Sequence, residues 1–172
     1  MEVEKQIVHI QYYSSPCGEL ILASMDNKLC LCDWNQMPTA QRNQQRLAKG
    51  VNAVFRMETS SVLQQAKEQL DAYFAGKRKT FDVVLHPIGT DFQLQVWKAL
   101  RNIPYGETMS YQDIALSIGK PKACRAVAKA IGANGISILI PCHRVIGSNH
   151  ALTGFAGGLE AKSFLLRLEH TH

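Results

Sequence analysis

Residues 110–132, which read SYQDIALSIGKPKACRAVAKAIG, contain two short helical segments separated by a Gly-Lys-Pro turn. Ser110 and Asp113 resemble a capping pair at the start of the first segment, and Gly119 ends it. Pro121 stands where a second helix can begin. These proportions predict a helix-turn-helix. An Ala-rich segment is also simply a good helix former, so the pattern favours DNA binding without establishing it.

The charge of the chain points the same way. There are 19 Lys and Arg against 14 Asp and Glu, a net charge of +5. Residues 87–172 hold nine basic and five acidic side chains, a balance of +4, with no acid between Asp113 and Glu160. A cationic face suits a polyanion such as DNA, and a solvated surface is the alternative. The basic residues expected at this face are Lys120, Lys122, Arg125, Lys129 and Arg144.

The N-terminal half has the pattern of a small antiparallel sheet followed by a helix. Strand-like runs occupy residues 8–12, 20–24 and 29–34. Asp26-Asn27 predicts a tight hairpin between the last two. Residues 35–60 predict a loop or a poorly defined helix, whereas an apolar stripe from Ser61 predicts a clear helix ended by Gly76. Residues 81–85 have the pattern of a returning strand.

Composition and cysteine usage exclude several classes of protein. Hydrophobic residues make up 46% and charged residues 19%, which excludes a disordered tail. No apolar run approaches the ~20 residues of a membrane span, and the acidic N-terminus is unlike a secretory signal, so we expect a cytoplasmic protein without membrane contact. Five cysteines, an odd number, argue against a disulfide framework. Cys30 and Cys32 with His9 or His86 form a weak candidate metal site; ordinary buried thiols are the commoner explanation.

Residues 136–147, ISILIPCHRVIG, are the most reactive-looking segment. The Ile-rich run predicts a buried strand that Pro141 ends. Cys142 follows, with His143 beside it as a candidate base, and a thiol attacks well only as the thiolate. A useful base also needs an orienting acceptor, for which Glu169 is the choice. Because Cys-His pairs also occur in hydrolases, spacing does not decide the reaction.

Pro141 to Gly147 resembles the active-site signature of the methylated-DNA–protein-cysteine methyltransferases, the 6-O-alkylguanine-DNA alkyltransferase family. Residues 110–111, 119–127 and 154–159 also follow the family's order and spacing. The correspondence covers about residues 92–169. We therefore predict an α+β fold: a small N-terminal antiparallel sheet plus helix in residues 1–87, then a mainly helical winged helix-turn-helix domain in residues 88–172.

The resemblance implies irreversible, single-turnover transfer of an alkyl group from 6-O-alkylguanine in double-stranded DNA to Cys142, with 4-O-alkylthymine as a further candidate substrate. Glu169, His143 and a water would deprotonate the thiol. The helix-turn-helix would enter the minor groove and flip the damaged guanine into a pocket. Tyr111 would help rotate the nucleotide and protonate guanine ring nitrogen 3, while Arg125 would replace the flipped base in the stack. No cofactor is implied.

The resemblance also assigns the remaining site residues. Asn134 would tie the helix-turn-helix to the active-site segment. The DNA-contacting residues would be Arg125, Tyr111, Gln112, Lys120 and Ser148. The substrate pocket would include Val145, Phe155 and Ala156. Zinc is not carried over, because the matching N-terminal positions are not all Cys or His, and we expect a monomer.

Three departures from the family pattern concern the pocket. Phe155 stands where many members carry Tyr, and Gly135 and Ser137 replace prolines. A loosened pocket wall predicts similar rates on methyl, ethyl and benzyl adducts. Two alternatives stay open. One is a module that binds lesions without reacting, as alkyltransferase-like proteins do, although those proteins lack the reactive Cys that this chain has at Cys142. The other is a Cys-His hydrolase, which gives no role to Arg125.

Overall fold

A computed structural model describes residues 5–35, 38–50, 52–147, 155 and 157–172. The chain forms two compact units, Met1–Ile88 and Gly89–His172. In its described residues, the first unit carries a four-stranded sheet and two helices. Its elements are β1 (Gln6–Ser15), β2 (Gly18–Met25), β3 (Lys28–Trp34), α1 (Pro38–Gly50), β4 (Ala53–Arg56) and α2 (Ser61–Phe74).

The sheet has the order β3-β2-β1-β4, and its first three strands are antiparallel. The predicted hairpin between β2 and β3 is confirmed: Asp26 and Asn27 have φ values of 52° and 58°, which Asp and Asn tolerate better than most residues. α2 is also confirmed. Its apolar stripe is buried, and the Ser60 side chain caps its first turn by accepting from Leu63 N at 3.2 Å.

Two sequence predictions for this unit need correction. Residues 35–60 contain the helix that was one of the two alternatives, α1, together with a strand that was not predicted, β4. Because β4 pairs parallel to β1, the sheet is mixed rather than purely antiparallel. Residues 81–85 do not return as a strand. Only Leu85 pairs, in a single bridge to Leu29, and the Asp82 backbone N–H is bonded instead to the side chain of Gln69 at 2.9 Å.

The second unit is mainly helical. Its elements are α3 (Asp91–Leu100), β5 (Met109–Ser110), α4 (Tyr111–Ser117), α5 (Cys124–Gly132), a 3₁₀ turn (Cys142–Arg144), β6 (Val145–Ile146) and α6 (Leu159–Thr171). β5 and β6 form a short parallel pair. None of the helices among the described residues is long and apolar enough to cross a membrane.

Local signals explain the helix-turn-helix formed by α4 and α5. Ser110 and Asp113 form the predicted capping box, in which the hydroxyl accepts from Asp113 N at 3.0 Å and the carboxylate accepts from Ser110 N at 2.9 Å. Gly119 ends α4 with a φ of +73°. Behind α5, the indole of Trp97 in α3 donates to the carbonyl of Ala130 at 2.8 Å, which holds α5 against the core.

The segment before Cys142 is a buried series of turns, and the predicted strand is wrong. Residues 136–140 are all buried, and residues 137–139 have turn conformation. Ile140 N donates to Ile136 O at 3.0 Å, and Ile138 has a φ of +72°, which is rare for a β-branched residue. The run of Ile reflects burial, because an apolar sequence signals the core without determining backbone conformation.

Candidate active site

Asn134 connects the end of α5 to the turn that carries the thiol. Its side chain is 1% exposed. The amide oxygen accepts from Ile136 N at 3.0 Å, and the amide nitrogen donates to Ile140 O at 3.0 Å. These bonds satisfy backbone groups that a buried turn leaves without ladder partners. Because Ile140 lies two residues before Cys142, Asn134 positions the thiol relative to α5.

Cys142 and His143 lie in the 3₁₀ turn and are buried, at 4% and 0% exposure. The backbone N–H of Cys142 donates to Ile140 O at 2.8 Å. β6 begins at the next position after this turn and pairs with β5, so the thiol sits between two anchored segments. These two anchors fix the position of the Cys142 sulfur. A thiolate formed there would therefore attack from a defined direction.

The structure brings His143 and Glu169 together, 26 residues apart in sequence. His143 Nε2 lies 2.7 Å from Glu169 Oε2, and both side chains are buried. An ionised carboxylate only accepts hydrogen bonds, so Nε2 carries the hydrogen of the neutral ring. His143 Nδ1 is buried and has no hydrogen-bond partner among the described residues. The pairing thus leaves Nδ1 as a proton acceptor.

Arg144 is part of this cluster, and its predicted place on the DNA face is wrong. The side chain is buried at 6% exposure. Its Nε donates to Glu169 Oε1 at 2.7 Å and its Nη2 to Glu169 Oε2 at 3.1 Å. A third nitrogen, Nη1, donates to Ile103 O at 2.7 Å. Since a buried guanidinium needs a counter-charge, Arg144 serves the site from inside the protein.

The electrostatics of the cluster keep His143 neutral. Burial lowers its pKa below the ordinary value, and the hydrogen bond and charge of Glu169 oppose that effect. The positive charges of Arg144 and Lys162 lower the pKa further. An imidazole that is neutral at physiological pH can accept a proton, whereas an imidazolium cannot.

Lys162 is a site residue that the sequence patterns did not single out. It is 1% exposed, and its Nζ donates to Val145 O at 2.6 Å. Burial lowers its pKa, and the nearby Cys142 opposes that effect, so the two groups lie within electrostatic reach. The buried positions of α6 include Ala161, Leu165 and Glu169, and helical spacing alone places Lys162 on the same face as Glu169.

The predicted DNA-contacting residues among the described positions lie on α4, α5 and the turn between them. Tyr111 is half-buried at the first position of α4. Gln112 is exposed and donates to Pro121 O at 3.1 Å; Lys120 is exposed with its Nζ 5.1 Å from the Phe92 ring centre. The side chains of Lys120, Lys122, Arg125 and Lys129 are all exposed.

Two of the predicted pocket residues, Val145 and Phe155, are among those that the structure describes. Val145, three residues after Cys142, is buried, and Phe155 is half-buried. Ser148 and Ala156 lie outside the described residues. Ser137, one of the departures from the family pattern, is fully buried, and its hydroxyl has no hydrogen-bond partner in the described part of the chain.

The candidate metal site in the first unit does not assemble. Across the described ranges, no three His, Cys, Asp or Glu side chains come together to hold a metal ion. The Cys30 thiol instead donates to Ala23 O at 3.4 Å, and burial raises its pKa to about 12. Such a thiol is protonated and inert at neutral pH.

Comparison with known families covers almost the whole chain. Residues 8–87 match the family described as "6-O-methylguanine DNA methyltransferase, ribonuclease-like domain", and residues 91–171 match "6-O-methylguanine DNA methyltransferase, DNA binding domain".

Individual relatives agree with the family matches. A methylated-DNA–protein-cysteine methyltransferase of Methanosarcina barkeri is 47% identical over 158 residues, 92% of this chain and 94% of the relative. A constitutive one of Bacillus subtilis is 45% identical over 164 residues, covering 93% and 96%. The crystal structure of Mycobacterium tuberculosis OGT in complex with DNA is 42% identical, with a TM-score of 0.82, and covers 95% of this chain and 93% of that one.

Proposed function

The chain belongs to the 6-O-methylguanine DNA methyltransferase family, and on that premise we propose that Cys142 receives the alkyl group. The protein is a methylated-DNA–protein-cysteine methyltransferase that repairs DNA by direct reversal. The observation that carries the proposal for Cys142 is the 2.7 Å pairing of the adjacent His143 with buried Glu169. That pairing supplies a base directly after a thiol, with a second ring nitrogen that has no hydrogen-bond partner within the described ranges.

In the proposed reaction, the proton of the Cys142 thiol passes through a water to His143 Nδ1. The thiolate sulfur then attacks the alkyl carbon of 6-O-alkylguanine in line with the departing oxygen. A sulfur–carbon bond forms as the carbon–oxygen bond breaks, and guanine leaves with the bonding electrons. Tyr111 donates a proton to ring nitrogen 3, which makes guanine a better leaving group. Because a thioether is not hydrolysed, each molecule reacts once.

The proposed partner is double-stranded DNA that carries alkylated guanine, with 4-O-alkylthymine as a second substrate. α5 supports this partner: Arg125 and Lys129 are exposed, while Val127, Ala130 and Ile131 pack inward. Arg125 would take the place of the flipped base, and Gln112, Lys120 and Ser148 would contact the backbone. Asn134 couples this helix to Cys142 through the bond to Ile140 O.

We further propose that the protein works as a monomer in the cytoplasm. Among the described residues, a single chain supplies the Cys142–His143–Glu169 arrangement and the helix-turn-helix of α4 and α5, and one lesion requires one of each. Val145, Phe155 and Ala156 would line the pocket, with main-chain groups near Val145 and Ala156 contacting the guanine edges. Of the two alternative functions, a lesion-binding module gives no role to the Cys142–His143–Glu169 arrangement, and a hydrolase gives none to Arg125.

A duplex with a radiolabelled 6-O-methylguanine tests the proposal. We expect wild-type protein to take up label, Cys142→Ala to take up none, and both to bind the duplex with similar affinity. Cys30→Ala is the matched control, since Cys30 and Cys142 are buried to nearly the same extent, at 5% and 4% exposure. Label on Cys142→Ala would place the nucleophile elsewhere, and binding without label on wild type would favour the lesion-binding module.

A further inference from the structure

Arg144 holds Glu169 with a geometry that fixes the carboxylate completely. Its Nε and Nη2 reach different oxygens of Glu169, at 2.7 and 3.1 Å, in a side-on pair. Its Nη1 is anchored 2.7 Å from Ile103 O, and its guanidinium carbon lies 5.7 Å from the Tyr105 ring centre. A planar guanidinium that is hydrogen-bonded through all three nitrogens cannot rotate, so the position of its positive charge is fixed.

The charges of this buried cluster determine where its protons lie. With Arg144 positive and Glu169 negative, these two side chains and His143 are neutral together only if His143 is neutral too. A buried Glu169–His143 pair without Arg144 would carry a net negative charge, which burial penalises strongly. Such a pair would recover neutrality by taking up one proton. Because Nε2 already carries a hydrogen toward Glu169, the extra proton would go to Nδ1 of His143.

Resting on the proposed transfer to Cys142, we propose that Arg144 is a positioning residue whose fixed charge keeps His143 Nδ1 unprotonated and able to accept the thiol proton. Arg144 acts through Glu169, to which it is bonded at both oxygens. Arg144 directly follows Cys142-His143 in the sequence. Its role there is to control the protonation state of His143 rather than to contact DNA.

The other charged and titratable groups around His143 do not replace Arg144. From α6, Glu169 bonds to the ring and Lys162 adds a second positive charge that lowers the His143 pKa. Lys162 lies close enough to Cys142 to offset a thiolate there. From the segment after α3, the phenol of Tyr105 faces Glu169 and Arg144, and burial raises its pKa, so it stays neutral. Arg144 bonds to both oxygens of Glu169.

The pH profile of single-turnover alkyl transfer, measured from about pH 5.5 to 9.5, tests this inference. Arg144→Met should move the acid limb to higher pH by about one unit or more, which means about tenfold slower transfer on that limb and recovery in alkali. Arg144→Lys keeps the charge and should keep the acid limb of the wild type, although its lost fork slows transfer throughout. Arg101→Met, which removes an exposed arginine of the same unit, is the control and should reproduce the wild-type profile.

An equal profile for Arg144→Met and wild type would overturn the inference, and so would an equal shift in Arg144→Met and Arg144→Lys. Nitrogen NMR of the wild-type His143 ring gives a readout that needs neither a variant nor DNA. At neutral pH we expect a hydrogen on Nε2 and none on Nδ1, whereas a doubly protonated ring would overturn the inference. A wild-type protein that shows this ring but transfers no label would contradict the proposed function instead.

Discussion

The two units of this protein each bury a carboxylate, and the partners of the two carboxylates differ. In the first unit, Asp33 accepts from Trp34 N at 2.8 Å and from Asn43 Nδ2 at 2.6 Å, both neutral donors close in sequence. In the second, Glu169 accepts from the charged Arg144, from His143 and from Gly106 N at 3.3 Å. Neutral donors alone hold strand β3 against helix α1. In the second unit, a cationic donor and a histidine whose Nδ1 has no partner among the described residues set up a base.

The pKa shifts show the same contrast. Burial raises the pKa of Asp33, since two neutral hydrogen bonds only partly offset the loss of water. Burial lowers the pKa of His143, which favours its neutral form. In the first unit, burial therefore suppresses the ionisation of Asp33. In the second unit, it keeps His143 neutral and able to accept a proton. A buried polar cluster indicates chemistry when its charges balance only in one protonation state.

The largest expected effect comes from neutralising each carboxylate in turn. Glu169→Gln should slow transfer by about a hundredfold or more, since the orientation and protonation of His143 both depend on it. It should also lower the free energy of unfolding by about 3–5 kcal/mol, because Arg144 is left buried without its counter-charge. Asp33→Asn should cost about 1–3 kcal/mol and leave transfer per folded molecule unchanged. Urea unfolding and single-turnover rates check both, and equal transfer losses would erase the contrast between the units.

A smaller difference in transfer rate is expected between substitutions of exposed basic residues in the two units. Arg125→Ala should slow transfer from duplex DNA at least about tenfold, because a side chain that fills a gap in a base stack contributes ~1–3 kcal/mol. Transfer from the free alkylated base should stay the same. Lys49→Ala, an exposed lysine in the last turn of α1, should change neither rate. Loss of free-base transfer in Arg125→Ala would assign Arg125 to the chemistry rather than to DNA.

The smallest effect is a difference in pH sensitivity between the units. His143 has a lowered pKa, so the unfolded chain takes up a proton that the folded chain excludes, and stability falls as pH drops below about 6.5. Cys30 has a pKa raised to about 12, so the unfolded thiol ionises first and stability falls as pH rises above 9.0. Each group accounts for at most about 1.4 kcal/mol per pH unit.

Hydrogen-exchange protection factors, referenced to unstructured amides at each pH, check this difference. Between pH ~7 and ~5, protection should fall in α6 and hold in β2 and β3. Above pH ~9, protection should fall in β3. Equal loss in both units under mild acid would contradict the assignment of the acid effect to His143.

Local signals made part of this structure predictable. The Ser110–Asp113 capping box, the Asp26-Asn27 hairpin and the stripe of α2 each depend on residues within one or two turns of each other, and all three are confirmed. The bounds of α1 and the presence of β4 were not predictable, because a polar, Gln-rich stretch has weak periodicity and gains its structure from packing against the sheet.

The site was predictable in its residue types but not in its charges. The Cys-His pair and the choice of Glu169 came from chemistry and the family resemblance, and the structure brings His143 and Glu169 together. The buried positions of Arg144 and Lys162 were not predictable, because composition treats every Lys and Arg as a surface charge. The turn at Ile138 was hidden as well, since no propensity places a β-branched residue at a φ of +72°.

The mass of tryptic peptides after reaction with a 6-O-methylguanine duplex tests the central claim most directly. We expect one methyl group per protein molecule, located on the peptide that contains Cys142, with uptake ending at one equivalent even when DNA is in excess. A methyl group on another residue, or continued turnover beyond one equivalent, would contradict the assignment of Cys142 as the single-use acceptor.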